Sequence, residues 1–177
     1  MTVQGPSKVE LVYVPTKAEV TEVVRVRLRH SPMGRLLRWL LPTGGVLAAL
    51  VVVWELAGPG APELSKVFLF GGLGALVLTL GPLIPRVTGS QMYGLVEPQG
   101  EFRAVVDDDG VTWTTRVSET TSRWAMLPLY VETPTLFVLL SADRAGVGVA
   151  ALPKQGVSAP EDLDRLRAIL ERHVKRV

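Results

Sequence analysis

Between Lys66 and Arg86 the chain carries no charge. Of residues 67–85, eleven are Leu, Ile, Val or Phe, and Thr79 is the one polar side chain. As a helix rising about 1.5 Å per residue, this run spans just under ~30 Å, the thickness of a bilayer's hydrocarbon core. Each large apolar residue favours insertion by roughly 0.3–0.6 kcal/mol near the helix centre, which outweighs the glycines and the threonine. The run therefore reads as a membrane span.

A second apolar run, residues 39–54, lies upstream. Sixteen residues of helix give only about 24 Å, so the run needs residues 36–38 and 55–57 to cross. That extension places Arg38 and Glu55 near the two ends, where a long charged side chain reaches the headgroups. Trp39 and Trp54 also fall near the ends, where amphipathic rings favour the interface. Pro42 then lies about one turn inside and is expected to kink the helix or mark its start. The intervening residues 58–66 allow only a tight helical hairpin. Burying both runs in a soluble core would need a larger polar shell than 177 residues provide. Small residues recur four apart at Gly44 and Ala48, Gly45 and Ala49, and Gly71 and Ala75, a spacing that lets helices approach closely in lipid.

Arg25, Arg27, Arg29, Arg35 and Arg38 crowd the approach to the first run, whereas the connecting loop has Lys66 against Glu63. An excess of Lys and Arg marks the cytoplasmic side, so both termini are expected in the cytoplasm, at a plasma (inner) membrane. Residues 1–8 lack the apolar stretch of a cleavable signal, which leaves the first span as the insertion signal. The net charge of +2 does not point to nucleic acid. With no cysteine, disulfides, thiolate metal sites and cysteine nucleophiles are excluded.

Outside the hairpin the pattern changes. Residues 9–14 are β-branched and aromatic and stop at Pro15, as a strand does. Thr16 and Glu19 have capping-box spacing, opening an amphipathic helix to about His30 with Val20, Val23, Val24 and Leu28 on one face. Residues 31–34 are expected to break it. Residues 101–106 and 111–115 flank Asp107-Asp108-Asp109-Gly110, an acidic turn ending in Gly that predicts a hairpin; the calcium-loop spacing is missing. Short strands follow around Trp124, at 129–131, at 135–140 and at 147–152, with a turn over 141–146. The 135–140 strand is apolar throughout and should be buried on both faces. Ser158 and Glu161 repeat the capping-box spacing ahead of a helix to about Arg176, which buries Leu163, Leu166, Ile169, Leu170 and Val174.

The fold class expected is an α+β membrane protein: a two-helix transmembrane hairpin, then a small antiparallel β domain closed by a C-terminal helix. The segments are residues 1–35, 36–86 and 87–177. A strand as short as 9–14 is not stable alone, so it is expected to join the sheet of residues 101–152. The following helix would lie between that sheet and the bilayer, valines inward. Trp124 and the last helix would close the opposite side.

No metal, phosphate-loop or nucleophile motif occurs, and His30 and His173 are far apart. Glu119 and Glu132 could meet by strand pairing, though nothing marks them as an acid–base pair. Ser122-Arg123-Trp124-Ala125-Met126-Leu127, Glu132, the apolar strand 136–140, Leu152-Pro153-Lys154 and Glu161-Asp162-Leu163 together resemble the YcxB-like family. The signature covers roughly residues 124–163, and the order of parts matches over nearly the whole chain. Gln155-Gly156-Val157 stand where relatives carry Arg and an aromatic residue. The resemblance implies a fold similar to pleckstrin-homology domains and implies no activity. The expected role is a membrane-anchored binding or scaffolding module without catalysis or cofactor. The alternative is an accessory or regulatory subunit of a transporter or membrane enzyme, acting through the hairpin. Expected partners are the lipid bilayer and a membrane protein or a second copy. Candidate headgroup or partner contacts are Arg25, Arg29, Arg38 and Lys154.

Overall fold

The structure, a computed structural model, describes residues 8–141 and 148–177. Most of the turn expected over residues 141–146, the strand start at Val147 and residues 1–7 lie outside the described residues. The chain divides into two compact units, one joining the residues up to Arg27 to Thr88–Val177, the other Leu28–Val87. The protein is α+β, with two long apolar helices followed by antiparallel sheets and a C-terminal helix.

In the first unit, β1 (Val9–Tyr13) pairs antiparallel with β2 (Phe102–Val106), Leu11 opposite Ala104. Strands β3 (Gly110–Thr114) and β4 (Glu119–Arg123) complete a four-stranded sheet in the order β1-β2-β3-β4. The strand preceding the apolar helices is thus an integral edge of a sheet whose other strands follow them. The β2–β3 turn forms as its sequence predicts: Asp107 Oδ1 accepts from the amides of Asp109 and Gly110, each at 3.0 Å. Gly110 is required there, because a Cβ would collide with the Ser122 carbonyl. Trp124 falls not in a strand but in a 3₁₀ turn after β4, at Trp124–Met126.

The second sheet runs β7 (Val149–Pro153), β6 (Leu136–Leu140), β5 (Leu129–Glu132) and β8 (Lys175–Arg176). All five residues of β6 are buried, as its unbroken apolar sequence requires. Phe137 and Leu139 face the main core, with Leu11, Val106, Tyr130 and Trp124. Leu136, Val138 and Leu140 face the other way, against Val23 and Val26 of α1 (Lys17–His30). The α1 capping box is reciprocal: the Thr16 amide donates to Glu19 Oε2 at 2.8 Å, and the Glu19 amide to Thr16 Oγ1 at 3.3 Å.

Helix α4 (Pro160–His173) buries Leu166, Ile169 and Leu170 in the main core. Its start and end both differ from expectation. Ala159, not Ser158, is the N-cap, at φ −135° and ψ 147° and without a side-chain cap bond. Pro160 forces its predecessor into extended geometry, which shifts the helix start and takes Ser158 and Glu161 out of box register. At the other end the chain leaves the helix at Val174. The Lys175 and Val177 amides donate to the Pro128 and Tyr130 carbonyls at 2.9 and 3.0 Å. Pairing β5's open edge is favoured over one more helical turn.

In the second unit, α2 (Pro32–Ala57) starts earlier than expected. Ser31 alone interrupts the helices: its Oγ accepts from the Gly34 amide, and Pro32 occupies the first turn, where its missing N–H is harmless. Pro42 lies inside the helix. After the loop, α3 (Leu64–Val96) continues through Pro85 for another eleven residues. Gly34–Ala57 and Leu64–Gly81 are long and apolar enough to cross a membrane, with mean hydropathies of 1.9 and 1.8. They pack through small residues: Gly74 lies against Ala48, and Gly45 against Leu78. A Cβ added to Gly44 or Gly71 would meet nothing within 4 Å, so those positions face away from the hairpin contact. Lys66 bridges the hairpin tip, 3.4 Å from Glu55 and 2.7 Å from Glu63.

Candidate functional site

Residues of the first unit line an open cavity of about 440 Å³, within the ~300–1,000 Å³ typical of ligand sites. Its position follows from strand alternation. Tyr13, Phe102, Trp113 and Ser122 lie at alternating positions that share a face with the core residues Leu11, Ala104 and Val111. At one end of that face, α4 and Trp124 fill the space. At the other end the aromatic rings of Tyr13 and Phe102, stacked with centroids 5.8 Å apart, line the cavity. Thr120 and Ser122 of β4 and Ala150 and Ala151 of β7 leave the gap. Val20 and Val23 of α1 and Met92 and Val96 of α3 supply the remaining wall.

Two polar groups at the cavity, the Tyr13 hydroxyl and the Glu19 carboxylate, are engaged within the protein. The Tyr13 hydroxyl donates to the Ala151 carbonyl at 3.1 Å, satisfying a group on the free edge of β7. Burial raises its pKa well above the ordinary tyrosine value, so it stays a neutral donor. The Glu19 carboxylate caps α1 and accepts from Gln155 Nε2 at 2.8 Å.

A second constellation surrounds Glu132, at the end of β5. Its Oε1 accepts from Arg167 and Lys154, each at 2.9 Å, and Arg176 lies 3.5 Å from Oε2. Arg167 also reaches Asp164. Hydrogen bonds from Arg167 and then Lys154 hold the Glu132 carboxyl down at about 2. Lys154 and Arg167 further lie over the Phe137 ring, at 5.0 and 5.9 Å. The cluster ties β5, the turn after β7, α4 and the C-terminal tail to one carboxylate. A third contact set joins α4 to the β2–β3 turn: Arg172 and His173 reach Asp108 at 3.0 and 3.1 Å, and His173 stacks on Trp124.

Lys154 is thus held by Glu132 rather than free in solvent. Arg25, Arg29 and Arg38 are exposed, and among the described residues none of them has an ion pair. Arg25 lies in the first unit, Arg29 and Arg38 in the second. Glu119 and Glu132 fall on different sheets. The cavity residues and Arg167 were not legible as a site, because each is an ordinary core or surface residue in its own segment. Models of protein families, curated proteins and solved structures were compared with the chain, and none matches.

Proposed function

We propose that the protein is a membrane-anchored binding module: the two apolar helices insert as a hairpin, and the β unit works beside the cytoplasmic face with a ligand in its cavity. The observation that carries this reading is an apolar cavity in a β unit interrupted by two span-length helices. Strand pairing adds support. β1 precedes both helices and β2 follows them, so an inserted chain must cross an even number of times for the two to pair. The arginines at positions 25, 27, 29, 35 and 38 favour the cytoplasmic side for that unit. Two four-stranded sheets and a closing helix support the pleckstrin-homology-like module that the YcxB-like resemblance implies. No catalytic role is proposed.

A second reading, an accessory subunit acting through the hairpin, is favoured by Gly44 and Gly71, small positions left open on the helix surfaces. Two experiments test the pair. Carbonate extraction should leave the chain in the membrane pellet, and release into the soluble fraction would end both readings. Pull-down after mild detergent extraction then separates them. A partner lost when the hairpin is replaced by an unrelated one supports the accessory role; a partner retained supports the β unit.

A further inference from the structure

We propose that the cavity holds one hydrocarbon chain of a membrane lipid; the inference rests on the hairpin reading and names the ligand class of that same site. The lining offers a nucleotide, sugar or phosphate little to grip. The Tyr13 hydroxyl and the Glu19 carboxylate are engaged by Ala151, Thr16 and Gln155. Among the described residues no Lys or Arg lines the cavity, whose other side-chain polar groups are the Trp113 indole and the hydroxyls of Thr120, Ser122 and Ser141. Most of the surface is aromatic and aliphatic, which favours an occupant by removing apolar area from water rather than by hydrogen bonds. A hydrocarbon chain is the ligand that needs nothing else.

Connectivity points to the source. Val23, in the cavity wall, lies eleven residues before Gly34, where the first candidate span begins. Met92, also in the wall, lies eleven residues after Gly81, where the second ends. Eleven residues reach at most about 40 Å even fully extended, so both tethers hold the cavity near the bilayer surface once the hairpin inserts. A lipid chain is then the most concentrated apolar ligand within reach.

The test uses the full chain in nanodiscs with Trp39→Phe and Trp54→Phe, which leaves Trp113 in the cavity and Trp124 in the core. The probe is a phosphatidylcholine brominated on one acyl chain. The expected result is quenching of Trp113 emission that saturates with probe fraction and is lost on Trp113→Phe. Filling the cavity with Ala150→Leu, or separately Ser122→Leu, should abolish that quenching while the melting temperature holds or rises. Quenching unchanged in a filled variant that melts like its parent would mean mere proximity to the bilayer and would overturn the proposal. So would absence of quenching in the parent. Carbonate extraction of the same protein keeps the failures apart: a released chain refutes the hairpin, whereas an integral but unquenched one refutes the lipid chain alone.

Discussion

If β1 is an integral strand, truncating Leu11 to Ala should damage a domain whose other strands begin ninety residues later. Leu11 is fully buried, sits opposite Ala104 and bridges to Val157. Leu→Ala changes at buried sites cost about 2.7–5 kcal/mol, more where the surroundings cannot collapse into the space. Here the backbone is held on both edges, by Ala104 of β2 and by Val157, so the upper half of the range applies, about 4 kcal/mol. Against a total stability of roughly 5–15 kcal/mol, that loss lowers the folded-to-unfolded ratio about a thousandfold. At roughly 4 °C per kcal/mol, the melting temperature should fall by roughly 15 °C. Val12 is the internal control: same strand, opposite face, 39% exposed. Val12→Ala should cost less than about 1 kcal/mol. Thermal unfolding of the full chain in detergent, followed by near-ultraviolet circular dichroism, measures both. Equal losses for the two variants would show that β1 is not packed as described. Slow amide exchange across Leu11, matching that of Phe137, is the independent check.

Glu132 has its pKa depressed to about 2 from an ordinary 4.5. It therefore contributes stability above about pH 4.5 that disappears as pH falls towards about 2, on the order of 2–3 kcal/mol. Denaturant midpoints should drop across that window, and the drop should shrink in Glu132→Gln. The Tyr130 hydroxyl is buried without a hydrogen-bond partner among the described residues, so Tyr130→Phe should be neutral or stabilising by up to about 1 kcal/mol. A clear loss of melting temperature would show that the hydroxyl has a partner after all. Leu76→Arg should raise the apparent insertion energy by roughly 3 kcal/mol, seen as a smaller membrane-integrated fraction in a glycosylation-reporter assay; unchanged integration would argue against that span.

Features that depend on neighbouring residues were legible in the sequence. The uncharged run after Lys66, the Thr16–Glu19 box, the Asp107–Gly110 turn and the doubly buried β6 each follow from a few adjacent side chains. Features set by distant partners were not. Pro85 resembles a stop, yet α3 runs on because its extension packs on α1, where Gly89 meets Thr21 so closely that a Cβ would fall 2.6 Å from the Thr21 hydroxyl. The Ser158 box failed because Pro160 overrode it. Glu132 and Arg167 are 35 residues apart on different elements. The cavity was hidden most completely. A void is defined by what several separate segments fail to fill, and no one segment records that Ala150 and Trp113 will line the same gap.

Pairing β1 with β2 also sets an order of events at the ribosome. Val9 is made 97 residues before its partner Val106. At synthesis rates of roughly 5–20 residues per second, β1 waits on the order of 5–20 s with its edges unpaired. On the proposed hairpin reading, both apolar helices emerge during that wait and have to be delivered to the membrane. The sheet can close only if they return the chain to the side where β1 was left. A nascent chain that inserts one helix and loses the other strands β1 across the bilayer, leaving Ala104, Val106 and Val157 without the leucine and valine that cover them. Exposed apolar surface and an open strand edge are what quality-control proteases and holdases recognise. On that reading, completion of the β unit reads out correct insertion, and a misinserted chain marks itself for removal.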